Sequence, residues 1–139
     1  MKRFFVLLFA VGLLFSSCST DKAELVADDF HQKLDEGDYD YICDNLIDTE
    51  ADESLPDNFR EFFAQVDSWG AQTNRAKSMG FSKKYNNGVT TVKLEYEFDI
   101  TEYHMYESMV LVERADGYKI FMCVMNSDKS TVDAKTSEY

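Results

Sequence analysis

Positive charge is what this chain has least of. Fourteen Lys and Arg stand against 26 Asp and Glu, a formal net charge of −12. Such a balance argues against nucleic acid and against anionic lipid surfaces as partners, and signals a solvated, self-repelling exterior. Only three cysteines occur, Cys18, Cys43 and Cys123, and their spacing matches no zinc pattern. Histidine is rarer still: His31 and His104 are the only two, and nothing in the sequence pairs either with a cysteine to activate it as a nucleophile. The acidic stretch Asp48-Thr49-Glu50-Ala51-Asp52-Glu53-Ser54 is no calcium loop, because the EF-hand pattern needs glycine where Glu53 stands. There are no repeats and no sign of a second domain.

Long apolar runs are missing too, apart from one of 12 residues, Phe4 to Phe15. Crossing a bilayer takes about 20 apolar residues, so this run is too short for a span. Preceded by Lys2-Arg3 and followed by Ser16-Ser17-Cys18, it reads as a secretory leader over residues 1–17. The small residues ending at a cysteine resemble the lipobox of bacterial lipoproteins, with Phe15 where leucine is usual. That likeness implies acylation of Cys18, a short tether over 18–21 and a domain over 22–126 in the bacterial envelope, most naturally at the outer membrane facing the periplasm. Removing the leader leaves 122 residues and, with Lys2 and Arg3 gone, a net charge of −14. One domain of this length buries a sizeable core.

Apolar residues then recur at helical spacing in three runs. Ala23, Val26, Ala27, Phe30 and Leu34 form the first, stopped by Gly37. Tyr39, Ile42, Cys43, Leu46 and Ile47 form the second, capped by Asp38. Pro56, the only proline, opens the third, with Phe59, Phe62, Phe63, Val66 and Trp69, ended by Gly70. An irregular first strand over 71–85 leads to an Asn86-Asn87-Gly88 turn.

Three strands follow. Val92, Leu94, Tyr96, Phe98 and Ile100 alternate with Lys93, Glu95, Glu97 and Asp99, as a strand with one buried face requires. The next two, Tyr106 to Arg114 and Tyr118 to Met125, are apolar on both faces, so their register rests on the turns. A three-residue loop at Ala115-Asp116-Gly117 pairs Arg114 with Tyr118, Glu113 with Lys119, Val112 with Ile120 and Val110 with Met122. A loop over 101–105 pairs Ile100 with Tyr106. The outward face then carries Met109, Leu111, Phe121, Cys123 and Met125, an apolar group offered to a second copy or another envelope protein. Cys43 and Cys123 fall on opposite sides of the sheet and are not expected to bridge. The polar tail, 127–139, reads as disordered.

Three helices before an antiparallel four-stranded sheet make an α+β order. Phe30 with Leu34 and Gly37-Asp38-Tyr39, the Asn86-Asn87-Gly88 turn into Thr91-Val92-Lys93-Leu94-Glu95-Tyr96, and Leu111-Val112-Glu113-Arg114 through Asp116-Gly117-Tyr118-Lys119-Ile120 resemble the nuclear transport factor 2-like superfamily. Among its members the likeness is to small bacterial lipoproteins of unknown function. It implies a curved sheet closed by helices into a cone, here with Tyr96, Phe98, Tyr106, Phe59 and Phe63 as pocket candidates. Fold carries over from such a likeness; function does not. No acid of the first alternating strand points inward, so the expectation is a non-catalytic module that binds a small apolar ligand or a protein, without a cofactor. The alternative is a lyase- or isomerase-like enzyme, which would require a histidine or carboxylate inside the cone.

Overall fold

A computed structural model describes residues 18–139, so the leader reading of residues 1–17 lies outside the described residues. Among the described residues the architecture is α+β: four helices and one open antiparallel sheet in the strand order β1-β2-β3-β4.

Helix α1 spans Cys18–Glu36. Residues 18–21, read as a tether from the sequence, lie within this helix. Asp21 falls in its first turn, where a negative charge meets the positive end of the helix dipole. Gly37, at φ +72°, ends it: Asp38 N donates to Lys33 O at 2.9 Å and Gly37 N to Leu34 O at 3.1 Å, a glycine-closed helix end. The second expected helix is divided. Helix α2 is a single turn, Tyr39–Tyr41, whose backbone passes into a π-helical turn over Ile42–Leu46 that sinks Ile42, Cys43 and Leu46 into the core. Helix α3, Leu55–Asp67, carries Phe59, Phe63 and Val66 on its buried side.

The strands are β1 Gln72–Asn86, β2 Val89–Ile100, β3 Tyr103–Arg114 and β4 Gly117–Asn126. Asn87 and Gly88 both take positive φ in the first hairpin, as an Asn-Gly turn should. Strand β2 alternates as its sequence requires, every second residue from Val92 to Ile100 being buried.

The next two pairings differ from the sequence reading. Ile100 pairs with Tyr103, not Tyr106, through a two-residue turn in which Thr101 takes φ +45°. A β-branched residue in that region is uncommon, so nothing in Thr101-Glu102 advertises a tight turn. Changing the loop from five residues to two reverses which side each β3 residue faces. At the other hairpin Arg114 pairs with Gly117, placing Val112 opposite Lys119 and Leu111 opposite Ile120. A bulge at Phe121 restores Val110 opposite Met122. The same parity brings Asp99 and His104 together: His104 Nδ1 lies 2.8 Å from Asp99 Oδ1. That bond raises the His104 pKa above its ordinary value. The stabilisation is whole below about pH 6.5 and fades as pH rises through the elevated folded value. An NMR titration should place the His104 midpoint above that of a model peptide, and Asp99→Asn should lower it.

Met109 and Leu111 are consequently fully buried in the core beneath the helices, and Met125 nearly so. Cys123 is half-buried against the same core. They are not an outward partner surface. Phe121, at the bulge, is half-buried and meets the Tyr139 ring at 5.7 Å. Both Cys43 and Cys123 are free thiols, although they share one side of the sheet rather than opposing ones.

The outer face carries Ser108, Val110 and Val112, and the chain covers it itself. The tail expected to be disordered forms helix α4, Lys129–Lys135, lying on β3 and β4. Asp128 caps it by accepting from Ser130 N at 3.0 Å. Val132 and Thr136 are buried, and the final residues are tied back to the sheet: Ser82 Oγ donates to Tyr139 O at 2.8 Å and Lys84 Nζ to Glu138 O at 2.9 Å. A tail with one anchoring valine looks too polar to fold, yet it has a ready-made apolar surface to fold upon.

Candidate functional site

The inner face of the sheet is filled rather than hollow. Phe30, Phe63 and Phe98 are among its largest fully buried side chains. Tyr39 stacks on Phe63 at 4.8 Å, and Phe30 lies 6.1 Å from it. Of the pocket candidates, Tyr96, Phe98, Phe59 and Phe63 belong to this closed core, while Tyr106 lies on the outer face beside His104.

Within that core sits a polar cluster that the sequence reading missed. The reversal of β3 turns Glu107 inward, where its side chain is fully buried. His31 reaches it from α1, with Nε2 at 2.9 and 3.0 Å from the two carboxylate oxygens, so this nitrogen carries the proton and donates. Cys123 donates its thiol proton to Glu107 Oε1 at 3.5 Å. Arg75 approaches from β1: its Nε is 4.0 Å from Glu107 Oε2, Nη1 is 3.5 Å from Asp35, and the guanidinium lies 5.4 Å from the Phe98 ring centre. The Tyr96 ring meets the His31 ring edge-on at 4.6 Å. Burial, reinforced by Asp28 and Glu107, pushes the Tyr96 phenol well above its ordinary pKa. Burial and the Glu107 charge likewise raise the Cys123 thiol. A protonated thiol is a poor nucleophile, so Cys123 acts here as a donor.

A second buried charge ties the acidic loop to the sheet. Asp48, fully buried, accepts from Arg114 Nε at 3.0 Å and Nη2 at 2.7 Å. This two-pronged geometry matches guanidinium to carboxylate.

Open space begins where α3 leaves the sheet. A cleft of about 560 Å³ opens between Phe62 and Trp69 on one side and Met105, Cys123 and Met125 on the other. Tyr103, Gln65, Asn126 and Lys135 give it a polar border. A smaller apolar hollow of about 240 Å³ continues beyond Phe62 and Cys123, between Leu55 and Phe59 of α3 and Phe121 and Met122 of β4.

No family model, curated protein or solved structure matches the chain.

The geometry therefore carries the chemical argument. Cys123 touches both the cleft and the Glu107–His31 pair, and neither His31 nor Glu107 lines the cleft. Among the described residues no group of three or more His, Cys, Asp or Glu is placed to hold a metal ion, and no helix is long and apolar enough to cross a membrane. One sequence signal would have exposed Glu107. Pairing Asp99 with His104 sets opposite charges face to face, and that register alone turns Glu107 inward.

Proposed function

We propose that this chain is a lipid-anchored bacterial envelope protein of the nuclear transport factor 2-like kind, held by acylated Cys18 at the outer membrane on its periplasmic side, and that it binds a small apolar ligand without transforming it. The observation carrying the binding role is the cleft between Phe62–Trp69 and Met105–Met125. Its volume lies within the range of small-ligand sites, and it joins an aromatic and methionine wall to a few polar groups. The long methionine side chains suit a pocket that adapts to its guest. Lys135 at the border favours a ligand with an anionic end. A contact between two copies through the outer sheet face would require α4 to leave it.

Trp69 is the chain's only tryptophan and lines the cleft, so it reports occupancy directly. Titration with 1-anilinonaphthalene-8-sulfonate should change Trp69 emission saturably, and Phe62→Lys should abolish the change while far-UV circular dichroism stays the same. Emission that is unchanged in the native protein, or a Phe62→Lys variant that binds normally, overturns the binding role. For the anchor, Cys18→Ser should release the protein from the membrane fraction and end fatty-acid labelling; retention of both would remove that part of the reading.

A lyase- or isomerase-like activity has one observation in its favour, the inward Glu107 bonded to His31. Against it, neither His31 nor Glu107 lines the cleft, and Cys123 alone touches both. Turnover lost on His31→Gln, with ligand binding retained, would favour the enzyme.

A further inference from the structure

The two open spaces beside α3 are not independent. Phe62 and Cys123 line both, so these two side chains form a neck with a chamber on either side. Early residues of α3, Leu55 and Phe59, share the hollow with Phe121 and Met122. Later ones, Phe62 and Gln65, share the cleft with Met125 and Asn126. Helix and strand therefore run in the same sense, and the slot between them follows the edge strand β4. From Leu55 to Gln65 is ~15 Å of helix, and from Phe121 to Asn126 ~17 Å of strand. At about 240 Å³ the hollow is too small for a ligand of its own, but it lengthens the cleft.

Charge is placed at one end of this slot. The chain holds 26 acids, yet none lines either chamber. Lys135, in the last turn of α4, is the one charged residue in their walls. It is exposed, and no acid among the described residues pairs with it. Gln65, Asn126 and Ser127 line the same chamber. The hollow, by contrast, has Asn58 and otherwise apolar or thiol walls. A third space, of about 590 Å³ between the end of α1 and the end of α3, carries Asp35, Glu36 and Asp67 and would repel an anion that the cleft attracts.

We propose that the slot holds a single-chain anionic amphiphile, with its carboxylate or phosphate head at Lys135 and its alkyl chain passing Phe62 and Cys123 into the hollow. This rests on the binding role proposed above and names the class of ligand. An alkyl chain is narrow enough to pass a neck between two side chains, where a fused ring system is not. Met105, Met122 and Met125 along the walls are unbranched and adapt to such a chain. A neutral apolar ligand would leave the one cation of the walls unused.

The test titrates the full chain with decanoate, dodecanoate, tetradecanoate and hexadecanoate below their micelle concentrations, followed by Trp69 emission. Affinity should rise about fourfold per added methylene, then level off once the chain outgrows the slot. Asn58→Phe, which fills the hollow from an exposed position, should bring the levelling to a shorter chain. Dodecanoate should bind about tenfold tighter than dodecanol, and Lys135→Gln should erase that difference. Dodecyl phosphate, titrated in parallel, tells a phosphate head from a carboxylate, and tight binding of either supports the proposal. Affinities that ignore chain length, a levelling point that Asn58→Phe leaves in place, or a head-group preference that survives Lys135→Gln overturn it. If anilinonaphthalene sulfonate binds in the cleft while no alkyl carboxylate or phosphate does, the ligand class falls and the binding role stands. If none of them moves Trp69 emission, both fall. A ligand-free chain that sediments as a dimer broken by Met122→Lys gives the slot to a second copy and overturns the proposal.

Discussion

Replacing Glu107 with alanine should cost the fold about 3–5 kcal/mol, the range for removing one member of a buried charged pair. Against a domain stability of about 5–15 kcal/mol, that is enough to move the urea midpoint far down. The loss arises because the carboxylate takes hydrogen bonds from His31 and Cys123 and faces Arg75. Without it, the largely buried His31 and Arg75 lose the carboxylate they face. The double variant His31→Leu with Glu107→Met should recover most of the loss, since an apolar pair of similar volume leaves nothing unsatisfied. Urea denaturation of the two single variants and the double one decides the matter. Additive losses, or a Glu107→Ala cost below about 1 kcal/mol, would show that the cluster is not a coupled unit. The same cycle bears on function. If ligand binding survives in a folded double variant, the pair is a structural fastening and the cleft works without it.

Ending the chain after Asn126 should have the second large effect, and a different signature. Helix α4 is the cover of the outer face, where Ser108 and Val110 are buried together with Val132. Burial of one valine contributes about 1.5–3 kcal/mol, so truncation should destabilise the domain by at least that much. It should also bare an apolar sheet face that soluble monomers rarely leave open. We expect the shortened protein to self-associate in sedimentation analysis at concentrations where the full chain does not. Val132→Asp should reproduce the effect without shortening the chain. A truncated protein that stays monomeric with an unchanged denaturation midpoint would mean that α4 contributes nothing to the face it covers.

Some of this architecture is legible without a structure. Lys93, Glu95, Glu97 and Asp99 cannot be buried in a row, so Val92, Leu94, Tyr96, Phe98 and Ile100 had to face the core. Gly37 and Asn87-Gly88 mark the helix stop and the first hairpin because few other residues take positive φ cheaply. The spacing of Phe59, Phe63 and Val66 defines the buried side of α3 for a similarly local reason. Each of these follows from neighbours in the chain.

The rest depended on partners far away in sequence. Met109, Val110, Leu111 and Val112 suit either side of a sheet, so only the Thr101-Glu102 turn and the bulge at Phe121 decide which of them the helices meet. That choice carries Glu107 with it, and a single reversed strand separates an outward acid from the buried partner of His31. The tail is polar by composition and folds because a surface awaits it. The cleft exists because α3 keeps near the π-helical turn and leaves β4 partly uncovered. Register, covering and separation between elements are properties of the assembled chain: a side-chain period of two lets one residue of slip exchange the two faces, and no local run of residues records which exchange has occurred.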